Sequence, residues 1–255
     1  MTELAPLLSL PAGLAWAGLA VFLRVAAMMA VLPEKKKKSL SVRVRLLLSI
    51  MLSVAVLPAA APDLDLPAPG LPGLVRLLGT ETVSGLFLGL LLRLFIIAIQ
   101  TAGAIAAQST SLAQIMGQAG ADPLPAMGHI LTVAALALLM ATGFHVKVAA
   151  FILLSYEFLP ANRFPDPAAL ADAGRSQVAG SFALAFSLAA PFVILSVLYN
   201  LTLGVINKAM PQLMVAFVGA PLITLGSVAL LMVSAPVMLV AWLDMVERFL
   251  ANPLG

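Results

Sequence analysis

Residues 80–108 read TETVSGLFLGLLLRLFIIAIQTAGAIAAQ, and this apolar stretch decides the fold. A helix rises about 1.5 Å per residue, so a stretch of this length exceeds the ~30 Å hydrocarbon core of a bilayer. Hydrophobic and polar residues do not alternate, so the pattern does not support a β-barrel. The stretch predicts a transmembrane helix that crosses with tilt and becomes small and polar in its last turns.

Small and polar residues fall on one side of this predicted helix. With Gly85 at zero on a helical wheel, Gly89, Arg93, Gln100 and Gly103 all lie within about 80° of it. The G-x-x-x-G spacing of the first two glycines lets helix backbones approach closely. One interpretation is a tight helix interface with a snorkelling arginine. The other is a face turned to protein or water inside an assembly, which we favour because a mid-bilayer arginine costs about 2.5–3.5 kcal/mol.

The composition is that of a membrane protein. Of 255 residues, 62% are hydrophobic and 10% are charged, with a mean hydropathy of +1.10. A soluble domain cannot hide so much apolar surface. The absence of cysteine excludes disulfides and thiolate metal sites. His129 and His145 lack a nearby carboxylate and are poor metal ligands, so we expect no metal and no cofactor. A net charge of +3 is too small to suggest nucleic acid as a partner.

Further apolar segments cover residues 11–32, 42–61, 178–205 and 213–246, separated by proline-rich or polar connectors. A broken region adds residues 130–142 and 146–155, interrupted by Gly143, His145 and Lys147. Each half is too short to span alone, so either one helix carries the lysine through the bilayer or the halves form a hairpin that does not cross it. We predict an all-α polytopic membrane protein with five to six hydrophobic helices, one membrane-embedded domain over residues 1–255, and a late helical hairpin at 178–248.

Two arginines lie inside predicted spans, Arg24 in the first and Arg93 in the third. The carboxylates Glu81, Asp244 and Glu247 lie near segment ends, so few internal partners are available. We interpret this shortage as a sign that the pairing groups belong to other subunits. The predicted inter-subunit or pore-facing residues are Arg24, Gly85, Gly89, Arg93, Gln100, Gly103 and Gln108.

Motifs of catalysis are missing. The sequence contains no G-x-x-x-x-G-K-[ST] loop, no H-E-x-x-H and no G-x-S-x-G. It also has no obvious pair of acid and base groups. We therefore predict that the chain is not an enzyme and that it serves transport or assembly in the membrane.

Four stretches carry a family resemblance: VRVRL at 42–46, GLFLGLLLRLF at 85–95 continuing to Gly103, residues 118–130, and residues 200–212 followed by 219–222. Their order and spacing resemble the FliR family of flagellar type III export-gate proteins, whose counterparts in virulence systems are the SctT proteins. The last stretch resembles the late signature of the family, carried by Gly204, Asn207, Pro211, Gln212, Gly219 and Pro221. The basic run at 34–38 departs from the family pattern.

The resemblance implies a non-enzymatic pore subunit of the bacterial inner membrane, within the flagellar basal body. In the family, one such chain joins several FliP and FliQ copies in a helical complex, and unfolded flagellar subunits pass through its channel. It also implies FlhB-like and FlhA-like export components as further partners, besides membrane lipid. Family helices sit partly above the bilayer, packed by partners.

The resemblance further implies a plug in the channel lumen, formed by the loop between the third and fourth segments. Here that loop is residues 109–122. Glycine permits rearrangement there, and methionine is a flexible apolar filler. The predicted plug residues are Ser109, Leu112, Ile115, Met116, Gly117, Gly120 and Asp122.

The alternative from another class is a small-molecule transporter or permease subunit. In that hypothesis Arg24 and Arg93 bind an anionic substrate near the midplane, where broken helices are common in carriers.

Overall fold

The structure, a computed structural model, describes residues 12–32, 41–67, 70–111, 126–210 and 215–253. In this part of the chain it contains seven α-helices, one 3₁₀ turn after the second helix, and no strand. In chain order the helices are α1 (Ala12–Val31), α2 (Val42–Ala60), α3 (Leu71–Ser111), α4 (Ala126–Ala141), α5 (Phe144–Phe158), α6 (Pro167–Ala209) and α7 (Val215–Ala251).

Two helices begin earlier than the sequence predicts. Helix α3 begins at Leu71 rather than near residue 80, with Pro72 in its first turn. Helix α6 begins at Pro167 rather than near residue 178, and Asp166 caps it by accepting the Ala168 N–H at 3.1 Å. Proline fits the first turn because its missing N–H would have no helical partner there. The segments predicted to be proline-rich or polar connectors therefore contain the first turns of α3 and α6.

The broken apolar region is two helices rather than one continuous helix. Helix α4 ends at Ala141 and α5 begins at Phe144, with Gly143 between them at φ 74°. Glycine adopts this left-handed conformation without the steric penalty that a side chain would bring. Length and composition allow the pair to be a broken span or a re-entrant loop.

The helices form two compact units. The first contains α1, α2, the part of α3 up to Leu94, α5, and the start of α6 up to Gln177. Gly18 of α1 packs against Leu57 of α2, where an added Cβ would lie 3.5 Å from the leucine methyl group. Because the contact joins the start of one helix to the end of the other, α1 and α2 are antiparallel.

The second unit contains α3 from Phe95, α4, α6 from Val178, and α7. Trp242 of α7 is fully buried, and its indole nitrogen donates to the Phe95 carbonyl oxygen at 2.8 Å. The rings of Phe95 and Phe249 lie 5.2 Å apart between centroids, in a tilted arrangement. This aromatic core holds α7 against α3.

Five helices in the described part of the chain, α1, α2, α3, α6 and α7, are each long and apolar enough to cross a bilayer. Helices α4 and α5 meet the same criterion only as a bent pair. The prediction of an all-α polytopic membrane protein with five to six hydrophobic helices is confirmed.

Candidate functional site

Two fully buried charges lie at the centre of the first unit. The Arg24 Nε of α1 donates to Glu81 Oε2 of α3 at 2.8 Å, and neither side chain is exposed. One terminal nitrogen donates to Ser155 Oγ of α5 at 3.0 Å, and the other donates to the Leu159 carbonyl oxygen at 2.8 Å. Each guanidinium nitrogen thus donates to a different acceptor.

The second carboxylate oxygen of Glu81 holds the turn between α5 and α6. It accepts the backbone N–H of Asn162 at 3.1 Å. Asn162 has φ 61°, a left-handed conformation that asparagine tolerates better than most residues. The ring of Tyr156 faces the guanidinium, with Arg24 Cζ 3.7 Å from its centroid. This Arg24 cluster therefore joins α1, α3, α5 and the turn at 159–162.

The interpretation that other subunits carry the partner of Arg24 is wrong. Glu81 of the same chain neutralises it, and both terminal guanidinium nitrogens donate to acceptors within the unit. The error follows from the start of α3. Because the helix begins at Leu71, Glu81 lies well inside it rather than at a segment end.

Sequence reasoning missed five members of this cluster: Glu81, Ser155, Tyr156, Leu159 and Asn162. A carboxylate and an arginine in two different apolar segments are a usable signal, because charges inside membrane segments usually pair with one another. No sequence pattern signals the other four, because they belong to the cluster only through the packing of α5 and the following turn.

Gly85 and Gly89 pack against the backbone of α1. A Cβ added at Gly85 would overlap the carbonyl oxygen of Arg24 and lie 2.8 Å from the Ala27 Cβ. At Gly89 it would lie 2.6 Å from the carbonyl oxygen of Met28. For these two residues the structure shows the first interpretation of the G-x-x-x-G pair, a tight helix interface, and the partner helix belongs to the same chain.

Gly103 has the same role in the second unit. It lies directly against Gly128 of α4, and a Cβ there would overlap the Gly128 Cα and lie 2.7 Å from its nitrogen. Close approach of two glycines brings the helix backbones together. Gly103 is therefore a contact between α3 and α4 of one chain.

Arg93 differs from Arg24 because its side chain is exposed. Its Nη1 donates to the Val31 carbonyl oxygen at 3.4 Å, a long hydrogen bond to the last residue of α1. Arg93 therefore lies beside the end of α1, not beside its middle. Gln100 and Gln108, in the second unit, are also exposed. Inter-subunit or pore-facing roles for these three residues stay predictions.

Comparison with known proteins identifies the family. Residues 15–249 match the family described as bacterial export proteins, family 1. The flagellar biosynthetic protein FliR of Caulobacter vibrioides is 32% identical over 235 residues, which covers 90% of this chain and 92% of that protein. The chain belongs to the FliR family of bacterial export proteins. The resemblance inferred from four short stretches is confirmed over nearly the full length.

Only part of the stretch that resembles the late signature of the FliR family lies among the described residues. Gly219 of α7 is buried against the hydroxyl group of Tyr199 in α6, which an added Cβ would overlap. Gly204 and Asn207 are exposed on α6, and no atom lies within 4 Å of a Cβ added at Gly204. Pro211 and Gln212 lie outside the described residues, and only the backbone of Pro221 is described.

Most of the predicted plug loop lies outside the described residues: Leu112, Ile115, Met116, Gly117, Gly120 and Asp122. Ser109 is described, near the end of α3, and its carbonyl oxygen accepts a hydrogen bond from the hydroxyl group of Ser196 in α6. Asn200 donates to both the hydroxyl and the carbonyl oxygen of Ser196, at 3.2 and 2.8 Å. The end of α3 is thus tied to α6 within the second unit.

The chemistry of these sites is structural. In the Arg24 cluster the two buried charges neutralise each other, and the glycines allow helix backbones to come into contact. Among the described residues, no three His, Asp or Glu side chains lie together as metal ligands would.

Proposed function

We propose that this chain is a structural channel subunit of the flagellar type III export gate. Membership of the FliR family makes it a protein of bacterial export, and its flagellar relative supports the flagellar apparatus. The finer proposal is that it forms a pore with FliP and FliQ homologues in the bacterial inner membrane, and that unfolded flagellar subunits pass through this pore.

The observation that carries the proposal is the length of exposed apolar surface on α6. Large exposed side chains run along this helix from Val178 to Ile206. That interval corresponds to about 42 Å of helix, against a hydrocarbon core of ~30 Å. It would fit inside the core only at a tilt above about 40°, the upper end of the range seen for membrane helices.

The full lengths of α3 and α6 exceed the thickness of the hydrocarbon core by more than this exposed interval does. Helix α3 has 41 residues and α6 has 43, or about 60 Å each, twice the thickness of the core. Lipid alone does not cover such helices. Exposed apolar surface beyond the reach of lipid marks a protein interaction site, as an assembled channel requires.

The Arg24 cluster counts against the alternative of a small-molecule carrier. An arginine that binds an anionic substrate must be accessible to it. Arg24 is fully buried, each of its three nitrogens donates to an acceptor within the unit, and its counter-ion Glu81 is buried with it. Arg93 alone would then have to bind the substrate.

Affinity purification from membranes in mild detergent, followed by mass spectrometry, tests the proposal. FliP-like and FliQ-like proteins should co-purify, and a deletion strain should lose its flagellar filaments. A chain that purifies as a stable monomer, or a deletion strain with intact filaments, would overturn the proposal.

A variant at Gly204 makes the test specific to the exposed face of α6. Gly204→Phe adds a side chain where the described residues leave open space, so the subunit should fold normally. If a partner covers this position, co-purification should fall. Gly174→Phe, on the same helix but before its exposed apolar face and with no atom within 4 Å of an added Cβ, is the matched control.

A further inference from the structure

The contacts between α1 and α3 fix the level of Arg93 relative to the membrane. The two helices run parallel, because contacts advance along both from Arg24 with Glu81 to Val31 with Arg93. Helix α1 is long and apolar enough to cross a bilayer, and the sequence becomes strongly basic shortly after it, at residues 35–38. The last residue of α1 therefore lies at the boundary of the core, and Arg93 lies there with it.

Further positive charge gathers at this end of the first unit. Because Gly18 packs against Leu57, α1 and α2 are antiparallel, and the start of α2 lies at the same end as the C-terminus of α1. Arg43 is exposed in the first turn of α2. We call the end of α1, the first turn of α2 and the Arg93 side chain the basic end.

The exposed arginines of the basic end lack counter-ions in the described part of the chain. Neither Arg43 nor Arg93 forms an ion pair with a described residue, and Arg93 makes only the long bond to a carbonyl oxygen. At the opposite end of the unit, by contrast, Arg163 forms an ion pair with Asp65, with 3.8 Å between Nη2 and Oδ2. The basic end therefore offers cationic groups to a ligand from outside the unit.

Exposed leucines accompany each of these arginines on the same helix face. Leu90 is 51% exposed and lies one turn before Arg93 on α3. Leu46 and Leu47 are 49% and 57% exposed and lie one turn after Arg43 on α2. Each site thus presents a guanidinium at the boundary and apolar side chains on the core side of it.

We propose that Arg93 and Arg43 bind the phosphate groups of anionic phospholipids at the basic end. Arginine donors match phosphate oxygens in a bidentate geometry. Basic clusters beside a membrane helix attract anionic lipid. The exposed leucines contact the acyl chains of the same lipids, a role that neither soluble phosphate nor a carboxylate of a partner protein provides. The proposal does not depend on the export channel. For Arg93 it is an alternative to the inter-subunit or pore-facing role predicted from the sequence.

Native mass spectrometry of the full-length chain, purified with whatever partners remain attached, tests the proposal. The sample is equilibrated with phosphatidylglycerol and with phosphatidylcholine, and retained lipids are counted. Arg93→Gln and Arg43→Gln should each lower retention of phosphatidylglycerol about fivefold, leaving phosphatidylcholine unchanged. Arg175→Gln, which removes an exposed arginine already paired with Asp172, is the matched control and should change neither.

Three results would overturn the proposal. The double variant could retain as much phosphatidylglycerol as the unsubstituted chain. Inorganic phosphate could displace the lipid at equal concentration, which would make this a site for the soluble anion. Alternatively, a photoreactive group at position 93 could cross-link to a partner protein rather than to lipid.

Cysteine labelling checks the level of Arg93 independently of lipid binding. The chain has no cysteine, so single substitutions can be labelled in sealed membrane vesicles with a water-soluble maleimide. Arg93→Cys should react from one side of the membrane. Val83→Cys, exposed on the same helix near the level of Arg24, should not react. Equal protection of both thiols would contradict the boundary position and the lipid site with it.

Discussion

Arg24 and Glu81 neutralise each other inside the first unit, although 57 residues separate them in the chain. Each comes from a different helix, and neither side chain is exposed. A buried charge without its counter-ion is far less stable than a pair with satisfied hydrogen bonds. The pair therefore makes the packing of α1 on α3 dependent on both residues together.

Removing one member of this pair should be more damaging than removing both. Arg24→Met or Glu81→Leu alone should lower the free energy of unfolding by about 3–5 kcal/mol, because the other charge stays buried. The double variant should lose less than either single variant, since no lone charge remains. Thermal unfolding of the purified protein in detergent measures this, with Arg175→Gln as an exposed control. Additive losses would show that the two charges act separately.

The glycines divide into two groups with opposite predicted effects. Gly85→Ala and Gly89→Ala should each destabilise the first unit by roughly 1–3 kcal/mol, because the added methyl group meets the backbone of α1. Gly180→Ala enters open space in α6 and should stabilise the protein by up to about 1 kcal/mol through helix propensity. Thermal unfolding of the three variants checks the contrast. Equal effects at the three positions would mean that the close contact with α1 does not limit packing.

The positive φ of Asn162 gives a prediction about the turn that Glu81 holds. Asn162→Gly should keep the N–H bond to Glu81 and relieve the backbone, so stability should be unchanged or slightly raised. Asn162→Val should destabilise the protein by about 1–2 kcal/mol, because a β-branched residue fits the left-handed region poorly. Proteolysis at the turn provides the measurement. A valine variant as resistant as the glycine variant would argue against the backbone conformation.

The bond between Ser196 and the end of α3 predicts a local effect. Ser196→Ala should speed hydrogen exchange in the last turn of α3, because the Ser109 carbonyl oxygen loses its side-chain donor. Exchange in α4 should not change. Thr202→Val serves as the control, since the Thr202 hydroxyl group bonds only within its own helix, to the Leu198 carbonyl oxygen at 2.8 Å. Unaltered exchange near Ser109 would show that the helix end is held by other contacts.

The fold was largely predictable from the sequence, because hydrophobic length alone identifies membrane helices. The ends of α1 and α2 match the predicted segments closely. The starts of α3 and α6 were missed because proline was read as an interruption, whereas it occupies the first turn of both helices. Capping by Asp166 was the available signal for the second of these.

The candidate site was less predictable, because its geometry depends on contacts between distant segments. The small-residue face of α3 was recognised, but the wheel cannot tell which helix it meets. Gly85 contacts α1 and Gly103 contacts α4. The partner of Arg24 was missed because Glu81 was assigned to the edge of a segment. With the start of α3 at Leu71, Glu81 lies inside a membrane helix, as Arg24 does, and the two residues could then have been paired from the sequence.

The Arg24–Glu81 pair has a consequence for biogenesis. A ribosome delivers α1 to the membrane before Glu81 has been synthesised, and the turn at 159–162 emerges later still. The nascent first helix therefore carries an uncompensated cation while it waits for its counter-ion. We expect stable insertion of α1 to require α3, which brings Glu81, so the temporal order of translation becomes part of how this protein reaches its final state.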